Sequence, residues 1–319
     1  MKNIAIIISI FLLSLNLFSQ NTGEEKWKEN IVKNHIQTQV QWNHKYEKGK
    51  PVKDGYKNFT KRYDHRGNVI EEVYYHSGTI DQKLSYKYDN NENKVEYSSY
   101  KGNENELLYK QNITYDNFNR KIREERYNGT DYQIIKYNYD EKDRLAGITR
   151  SDIFGSVEHQ RDFNYEGNIC TINIFDKGKE VGKIINQYDD LGNIVESTEY
   201  DINGDVKEKY LYTFNGKLLI DKTKYVLGNF IYKEYYSYDS KGNLVEIKKE
   251  QPKGNIFVSN IYEYDKEGNL IEEEWYDDNP NENSKKTYFY NEKGILEKVE
   301  VYYALYRYRI QYRYDYTFY

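Results

Sequence analysis

The residues able to do chemistry are few and do not assemble into a reaction centre. The histidines are His35, His44, His65, His76 and His159. Apart from Glu72 four residues before His76, in a segment that reads as a strand, none pairs with a Glu at the one-turn spacing of a helical zinc site, and no Cys/His cluster accompanies them, so zinc chemistry is not expected. Neighbouring carboxylates such as Glu71/Glu72 and Glu272/Glu273 point to opposite faces if they lie on strands. They cannot share acid/base work without a second element, and read as solvated charge. Asp201-Ile202-Asn203-Gly204-Asp205 starts like a calcium loop, but Val206 stands where the loop glycine belongs and Tyr212 where its closing Glu belongs. Asn203-Gly204 between alternating segments reads instead as a hairpin turn. Cys170 is the only cysteine. No intramolecular disulfide can form, and the residue reads as a small buried apolar group with no histidine partner. Neither a Gly-x-Ser-x-Gly elbow nor a P-loop occurs. The expectation is therefore no catalytic residue, no metal site, no cofactor and no enzymatic activity.

What remains is aromatic. The chain of 319 residues carries 38 Tyr, 12 Phe and 3 Trp. Most of the tyrosines belong to a repeat whose clearest copy is Tyr264-Asp265-Lys266-Glu267-Gly268-Asn269-Leu270. Near-copies begin at Tyr63, Tyr88, Tyr115, Tyr139, Tyr188, Tyr238 and Tyr290, and shortened ones at Tyr165 and Phe214. Steps of roughly 23 to 27 residues fall in the range of repeat arrays. Asn260 to Tyr264 alternates, with Tyr262 and Tyr264 on one face. Asp265 to Asn269 is a turn, in which Asp bonds amides two residues on and Gly268 or Asn269 takes positive φ. Leu270 to Tyr276 is the returning strand. Each unit is a β-hairpin plus a link.

The same pair recurs as Tyr86/Tyr88, Ile113/Tyr115, Tyr137/Tyr139, Tyr236/Tyr238, Tyr288/Tyr290 and Tyr312/Tyr314. One face of the outgoing strand is aromatic and the other mostly polar. One hairpin cannot bury such a face, whereas stacked hairpins can. The returning strands are less regular, because Ile70, Val195, Val245 and Ile271 follow another apolar residue directly. The expected fold is all-β: about ten hairpins forming one long, twisted or curled antiparallel sheet. The aromatic face is an inter-hairpin core or, functionally, a stacking platform for sugar rings or peptide. Trp42 and Trp275 depart from the pattern and are the better guesses for exposed contacts.

Tyr-Asp-x-x-Gly-Asn-(Leu/Ile/Val)-x-Glu, at Tyr63, Tyr188, Tyr238 and Tyr264, resembles the YD repeat of the Rhs family of bacterial proteins over about four-fifths of the chain. The resemblance implies an all-β hairpin array. The largest family members wind a strip into a shell around a toxin, and YD repeats are often described as carbohydrate-binding. An Asp-Pro-x-Gly core-end motif and a following toxin domain are not found here, so the toxin role does not carry over. MORN-like hairpin repeats are a weaker resemblance.

Residues 1–20 have a lysine, a short apolar core from Ile4 to Phe18 and Ser19-Gln20, the pattern of a secretory signal peptide. The core is shorter than the roughly 20 residues a membrane span needs. Residues 21–33 form a polar lead, which reads as a short helix or a loose segment. Residues 34–319 form a continuous repeat domain, with a capping strand at 305–319, where Tyr306, Tyr308, Ile310, Tyr312, Tyr314, Tyr316 and Phe318 fall on one face. Net charge is −5 and mean hydropathy −1.02. The charges are interspersed, so nucleic acid is not an expected partner, nor is membrane insertion once the leader is removed. The expectation is an exported protein of the periplasm, cell surface or medium. It would be a binding or structural module of the envelope, with a surface glycan or envelope protein as partner. The alternatives are a detached shell or adaptor piece of an Rhs-type toxin-delivery system, or a hydrolase.

Overall fold

The computed structural model describes residues 18–103, 105–276 and 282–319. The repeat turn shows how the sequence writes the fold. In the unit at Tyr238, the strand Asn229–Tyr238 runs into Asp239 and returns as Leu244–Glu250. Asp239 Oδ1 accepts the amides of Lys241 (2.8 Å) and Asn243 (2.9 Å), and Oδ2 accepts the Asn243 side-chain amide (2.8 Å). Asp64, Asp89 and Asp189 hold their turns in the same way. At Asp116 and Asp140 an arginine four residues on replaces the Asn.

Tyr-Asp is thus two devices. The Asp closes its own turn, while the Tyr reaches back to the preceding unit. Tyr88 donates to the carbonyl of Val69 (3.0 Å), Tyr139 to Lys121 (2.8 Å), Tyr238 to Leu219 (2.8 Å), Tyr264 to Leu244 (3.0 Å) and Tyr290 to Leu270 (2.9 Å). The hydroxyl explains why the repeat uses Tyr where Phe would bury equal area.

The apolar doublets are β-bulges. Tyr238 faces Leu244 while Ser237 faces Glu246, leaving Val245 as an extra residue. Ile70, Val195 and Ile271 stand in the same position in their units. A second bulge near the far end of many outgoing strands leaves Leu108, Val181 or Ile231 extra. Bulges bend a strand and increase its twist, the means by which sheets curl into barrels.

That curvature carries the expected long, twisted or curled sheet all the way to closure. The strand Ile36–Glu47 pairs on one side with Tyr56–Tyr63 and on the other with the last strand, Tyr308–Phe318, from Ile36↔Phe318 to Lys45↔Ile310. The result is a closed, antiparallel 22-strand barrel in simple up-and-down order, with the two-residue Lys50–Pro51 strand attached to its first member. The last strand therefore closes the ring rather than capping an array. Nor does its alternation start at Tyr306, which sits in the preceding turn and is 75% exposed. Closure removes both sheet edges.

The wall is one layer thick. The molecule exposes 20751 Å², against about 14000 Å² for a compact monomer of this mass. Its buried apolar clusters are small and local. Twenty-two strands about 4.8 Å apart and tilted by about 40° make a ring about 40 Å across when drawn as a circle.

Candidate functional site

The tyrosine face is the concave one. On it, groups two strands apart come within electrostatic reach: Tyr74 and Tyr97, Tyr212 and Tyr232, Tyr288 and Tyr314, Tyr63 and Tyr314. The residues between the paired tyrosines (Lys87, Thr114, Asn138, Ser237, Glu263) are exposed on the convex face. The lumen is lined by half-buried aromatic rings, and charges interrupt them. Glu72 takes the Tyr74 hydroxyl and lies 3.5 Å from Lys61. Lys224 lies 3.2 Å from Glu208, and Lys286 3.0 Å from Glu273.

Glu124 is the most enclosed of these charges, 1% exposed. It accepts hydrogen bonds from Lys121 (2.5 Å), Arg126 (2.5 Å), Tyr137 (2.7 Å) and Gln111 (2.8 Å). Burial raises its pKa, but the lysine, tyrosine and arginine outweigh burial and hold it at about 2. A carboxylate so held is a structural anion, with no proton to give near neutral pH.

The residues weighed in the sequence are dispersed. Glu71 faces Lys83 (3.0 Å) outside while Glu72 faces inward; Glu272 and Glu273 divide between Lys285 and Lys286 in the same way. Asp201 Oδ1 accepts the amides of Asn203 and Asp205, both at 2.9 Å, so this carboxylate builds a turn. Cys170 is buried beside Phe163 and Ile172, and burial pushes its thiol up, away from the reactive thiolate. His44 meets the Val52 carbonyl, His65 stacks on Tyr319 with centroids 3.8 Å apart, and His159 lies 3.4 Å from Asp176, each in a different part of the wall. No group of three or more His, Cys, Asp or Glu among the described residues is placed to hold a metal ion. Trp275 packs edge-on against Tyr303, under Lys286, and Trp42 donates to Asp315 (2.8 Å) across the closing seam. Both tryptophans hold the wall together, so neither is the freely exposed contact expected.

The sequence left one feature open that the structure resolves. Residues Phe18–Lys33 form a helix at the rim of Asp turns, astride the seam. Asn30 donates to Gly294 O (2.6 Å), Lys26 to Glu267 O (2.9 Å), and Lys28 pairs with Glu92 (2.5 Å). Ile31, 1% exposed, packs with Ile36, Tyr63 and Ile295, flanked by Trp27 and Tyr316. The only sequence signal for this contact was Trp27 and Ile31 one turn apart in a polar segment.

No protein-family model and no curated protein matches the chain. Solved structures do. TcdB2-TccC3 without its hypervariable C-terminal region is 15% identical over 82% of this chain, with a TM-score of 0.26. A porin-like protein from Bacteroides uniformis is 10% identical over 89% of this chain and 97% of its own, with a TM-score of 0.31. A second, from Bacteroides vulgatus, is 14% identical over 61% of this chain and 97% of its own, with a TM-score of 0.30. The chain spans about a fifth of the length of the TcdB2-TccC3 chain. At TM-scores of 0.26 to 0.31 these likenesses carry no argument about this chain.

Proposed function

We propose that this protein is an exported, non-catalytic barrel that serves as a structural or binding module of the cell envelope, bathed in water on both faces. The observation that carries this reading is the distribution of charge. A barrel that spans a membrane turns an apolar band about 25 Å tall to the lipid. Here the convex face carries Lys/Glu ladders that run from the strand ends beside the Asp turns (Arg62, Lys87) through Glu71 and Glu96 to the middle of the next strands (Lys83, Lys110). The concave face carries Glu124, Lys224 and Glu273 among its rings. Neither face suits hydrocarbon. The lumen, with tyrosine edges and, among the described residues, paired charges and no free acid/base pair, suits an extended glycan or peptide held by stacking and hydrogen bonds. Export rests on the leader at residues 1–20, of which Met1–Leu17 lie outside the described residues. Closure into a hollow ring also suits the alternative of a detached shell piece. A neighbouring gene pair for a small toxin and its immunity protein would favour that alternative.

The test is fractionation of the native host with a screen of the isolated protein against glycans and envelope fractions. The expected result is recovery in the soluble envelope fraction, without residues 1–20, and saturable retention of one glycan or envelope component. Recovery from the cytosol with Met1 intact, or extraction only as an integral membrane protein, overturns the proposal.

A further inference from the structure

Of the arginines on strands, Arg126, Arg150 and Arg161 face the lumen. All three lie on one arc of four consecutive strands: Lys121–Tyr127, Tyr132–Tyr139, Leu145–Asp152 and Val157–Glu166. The register fixes their direction. Arg126 stands two residues from Glu124, Arg150 two from Ile148, which faces Tyr137, and Arg161 two from Phe163. With Lys121 they set four cations on the inner face of this arc against Glu124, with Glu158 on a bulge and Asp152 in the turn beyond. The chain as a whole carries −5, so this balance is not inherited from composition.

The four cations are unequally engaged. Glu124 takes both Lys121 and Arg126. Arg150 is held less firmly: its Nε is buried with no hydrogen-bond partner among the described residues, and its ion pair with Glu158 is loose, at 3.6 Å. His159 lies directly opposite Arg150. Arg161, two residues on, is therefore a diagonal neighbour of Arg150, about 7–8 Å away. Two guanidinium side chains at that separation reach a common group between them. Their fields already meet at His159, whose pKa is lowered by burial and then by Arg150 and Arg161, against Asp176 and Glu158. The other carboxylates nearby have partners of their own. Asp176 lies 3.4 Å from His159, and Glu199, which Arg161 feels, lies 2.5 Å from Lys207. On the convex face of the same arc, Arg123 closes on Glu125 with two bonds of 3.0 and 2.9 Å. A loosely held arginine is thus a feature of the lumen here and not of the wall in general.

We infer that Arg150 and Arg161 form an anion site in the lumen that takes the carboxylate of an acidic sugar chain. This deepens the binding-module reading above and rests on it. A guanidinium offers a planar fork of N–H donors that matches a carboxylate. A buried Nε without an acceptor is costly by itself and is satisfied by an oxygen of the ligand. Tyr137, half-buried and diagonal to Arg150, stands beside the pair and offers a ring to the C–H side of a sugar. An acidic peptide also carries carboxylates, but its main-chain amides and carbonyls need partners of their own. Extended peptides find them by adding to a sheet edge. This wall is closed through the pairing of its first and last strands and has no such edge. A sugar chain needs no backbone ladder, so ring and cation together suffice.

The test titrates the isolated native protein with oligogalacturonate, with the same chain methyl-esterified at its carboxylates, and with polyglutamate, each by calorimetry. Arg150→Gln and Arg161→Gln are compared with Arg123→Gln, the arginine of the outer face, after their melting curves have been matched to the native one. Oligogalacturonate is expected to bind, and esterification to weaken it at least tenfold. Arg150→Gln and Arg161→Gln are each expected to lose at least tenfold, and Arg123→Gln to stay within twofold. Polyglutamate binding as tightly as the sugar acid overturns the choice of ligand. Equal losses in Arg123→Gln and Arg150→Gln overturn the site. Equal binding of the acid and its ester overturns the inference while leaving a neutral-glycan module standing, and no binding of any of the three chains overturns it while fractionation still decides the envelope reading. The three titrations of the native protein need no variant, so a substitution that fails to fold does not protect the inference.

Discussion

The helix-bearing rim and the opposite rim differ in how their turns are joined. On the first, neighbouring turns are tied to each other. Arg66 donates to Asn90 O (3.0 Å), Arg120 to Asp143 (2.5 Å) and Lys241 to Lys266 O (2.8 Å), and the helix adds bonds to Glu92, Glu267 and Gly294. On the second, turns such as Asp152–Ser156 and Asp201–Asp205 close mainly on themselves. One rim is a hoop tied by side chains from turn to turn; on the other, turns meet the neighbouring strand through backbone bonds such as Leu227 N–H to Lys207 O (2.9 Å). The difference teaches that the repeat separates a frame that holds the ring from positions whose chemistry is free to vary.

The largest expected effect comes from removing the element that makes either rim a ring. Deleting residues 305–319 takes away the pairings with Ile36–Glu47, including Gln41–Tyr314 (2.8 Å) and Trp42–Asp315. It exposes two long unpaired edges at once. Each large buried side chain contributes roughly 1.5–3 kcal/mol, against a total domain stability of about 5–15 kcal/mol. The truncated chain is expected to aggregate or to lose its cooperative melt, as read by light scattering and circular dichroism. A truncated monomer with an unchanged melting temperature would show that the hoop stands without closure.

Closure is also where sequence reading stopped. The hairpins, their phase and the Asp turn were legible because each is encoded within about 25 residues. The doublets Val69-Ile70 and Leu244-Val245 looked like a blurred pattern. In register they are bulges, and the bend of each bulge summed around the ring brings Ile36 beside Phe318. No single repeat contains that sum. The last strand looked like a cap because alternation alone does not say whether a strand's second edge meets water or the chain's own beginning. The lumen arginines were invisible as a class: Arg126, Arg150 and Arg161 lie in different units, and only register and closure turn them to one arc of the lumen.

A second effect separates the helix from the turn it touches. Gly67 and Gly242 occupy equivalent turn positions, at φ +80° and +84°. A Cβ at Gly242 meets nothing within 4 Å, whereas at Gly67 it would lie 2.9 Å from Val32 Cγ2 and 3.1 Å from the Lys28 carbonyl. Gly242→Ala should therefore cost only the left-handed strain, about 1–2 kcal/mol. Gly67→Ala should cost more, by on the order of 1 kcal/mol of overpacking against the helix. Denaturant titrations of the two variants measure the difference. Equal losses would mean that the helix does not brace the hoop.

The hoop should also weaken in acid. Asp89 and Asp239 have pKa values below the usual carboxylate range, chiefly through Asn93 and Asn243. Desolvation opposes the same shift at Asp116, Asp140 and Asp189, but the turn amides and the residue four positions on lower them too. A pKa depressed on folding contributes stability above the unfolded value, near 3.9, which is lost as pH falls through the folded value. The melting temperature should hold from neutrality to about pH 4 and fall below it. Asp239→Asn should melt lower at neutral pH and show a shallower acid slope. An unchanged slope would remove this turn from the acid response.

The smallest effect tests what the repeat tyrosine does that a ring alone does not. Tyr264 is half-buried and its hydroxyl donates to Leu244 O at 3.0 Å; Tyr306 on the far rim is 75% exposed. Tyr264→Phe keeps the ring and its burial but leaves the Leu244 carbonyl without that donor. The loss expected for one such bond is about 0.5–1.5 kcal/mol. Tyr306→Phe removes the same atom from a tip and should change stability by less than about 0.5 kcal/mol. Phe214 occupies the repeat position without a hydroxyl, so the wall tolerates a missing lock. The reciprocal change, Phe214→Tyr, should be neutral or stabilising if the carbonyl of the preceding returning strand lies where it does in the other units. Equilibrium unfolding of the three variants decides the matter. A Tyr264→Phe protein as stable as the native one would reduce the tyrosine to an aromatic filler, leaving the choice of Tyr over Phe unexplained by the hydroxyl.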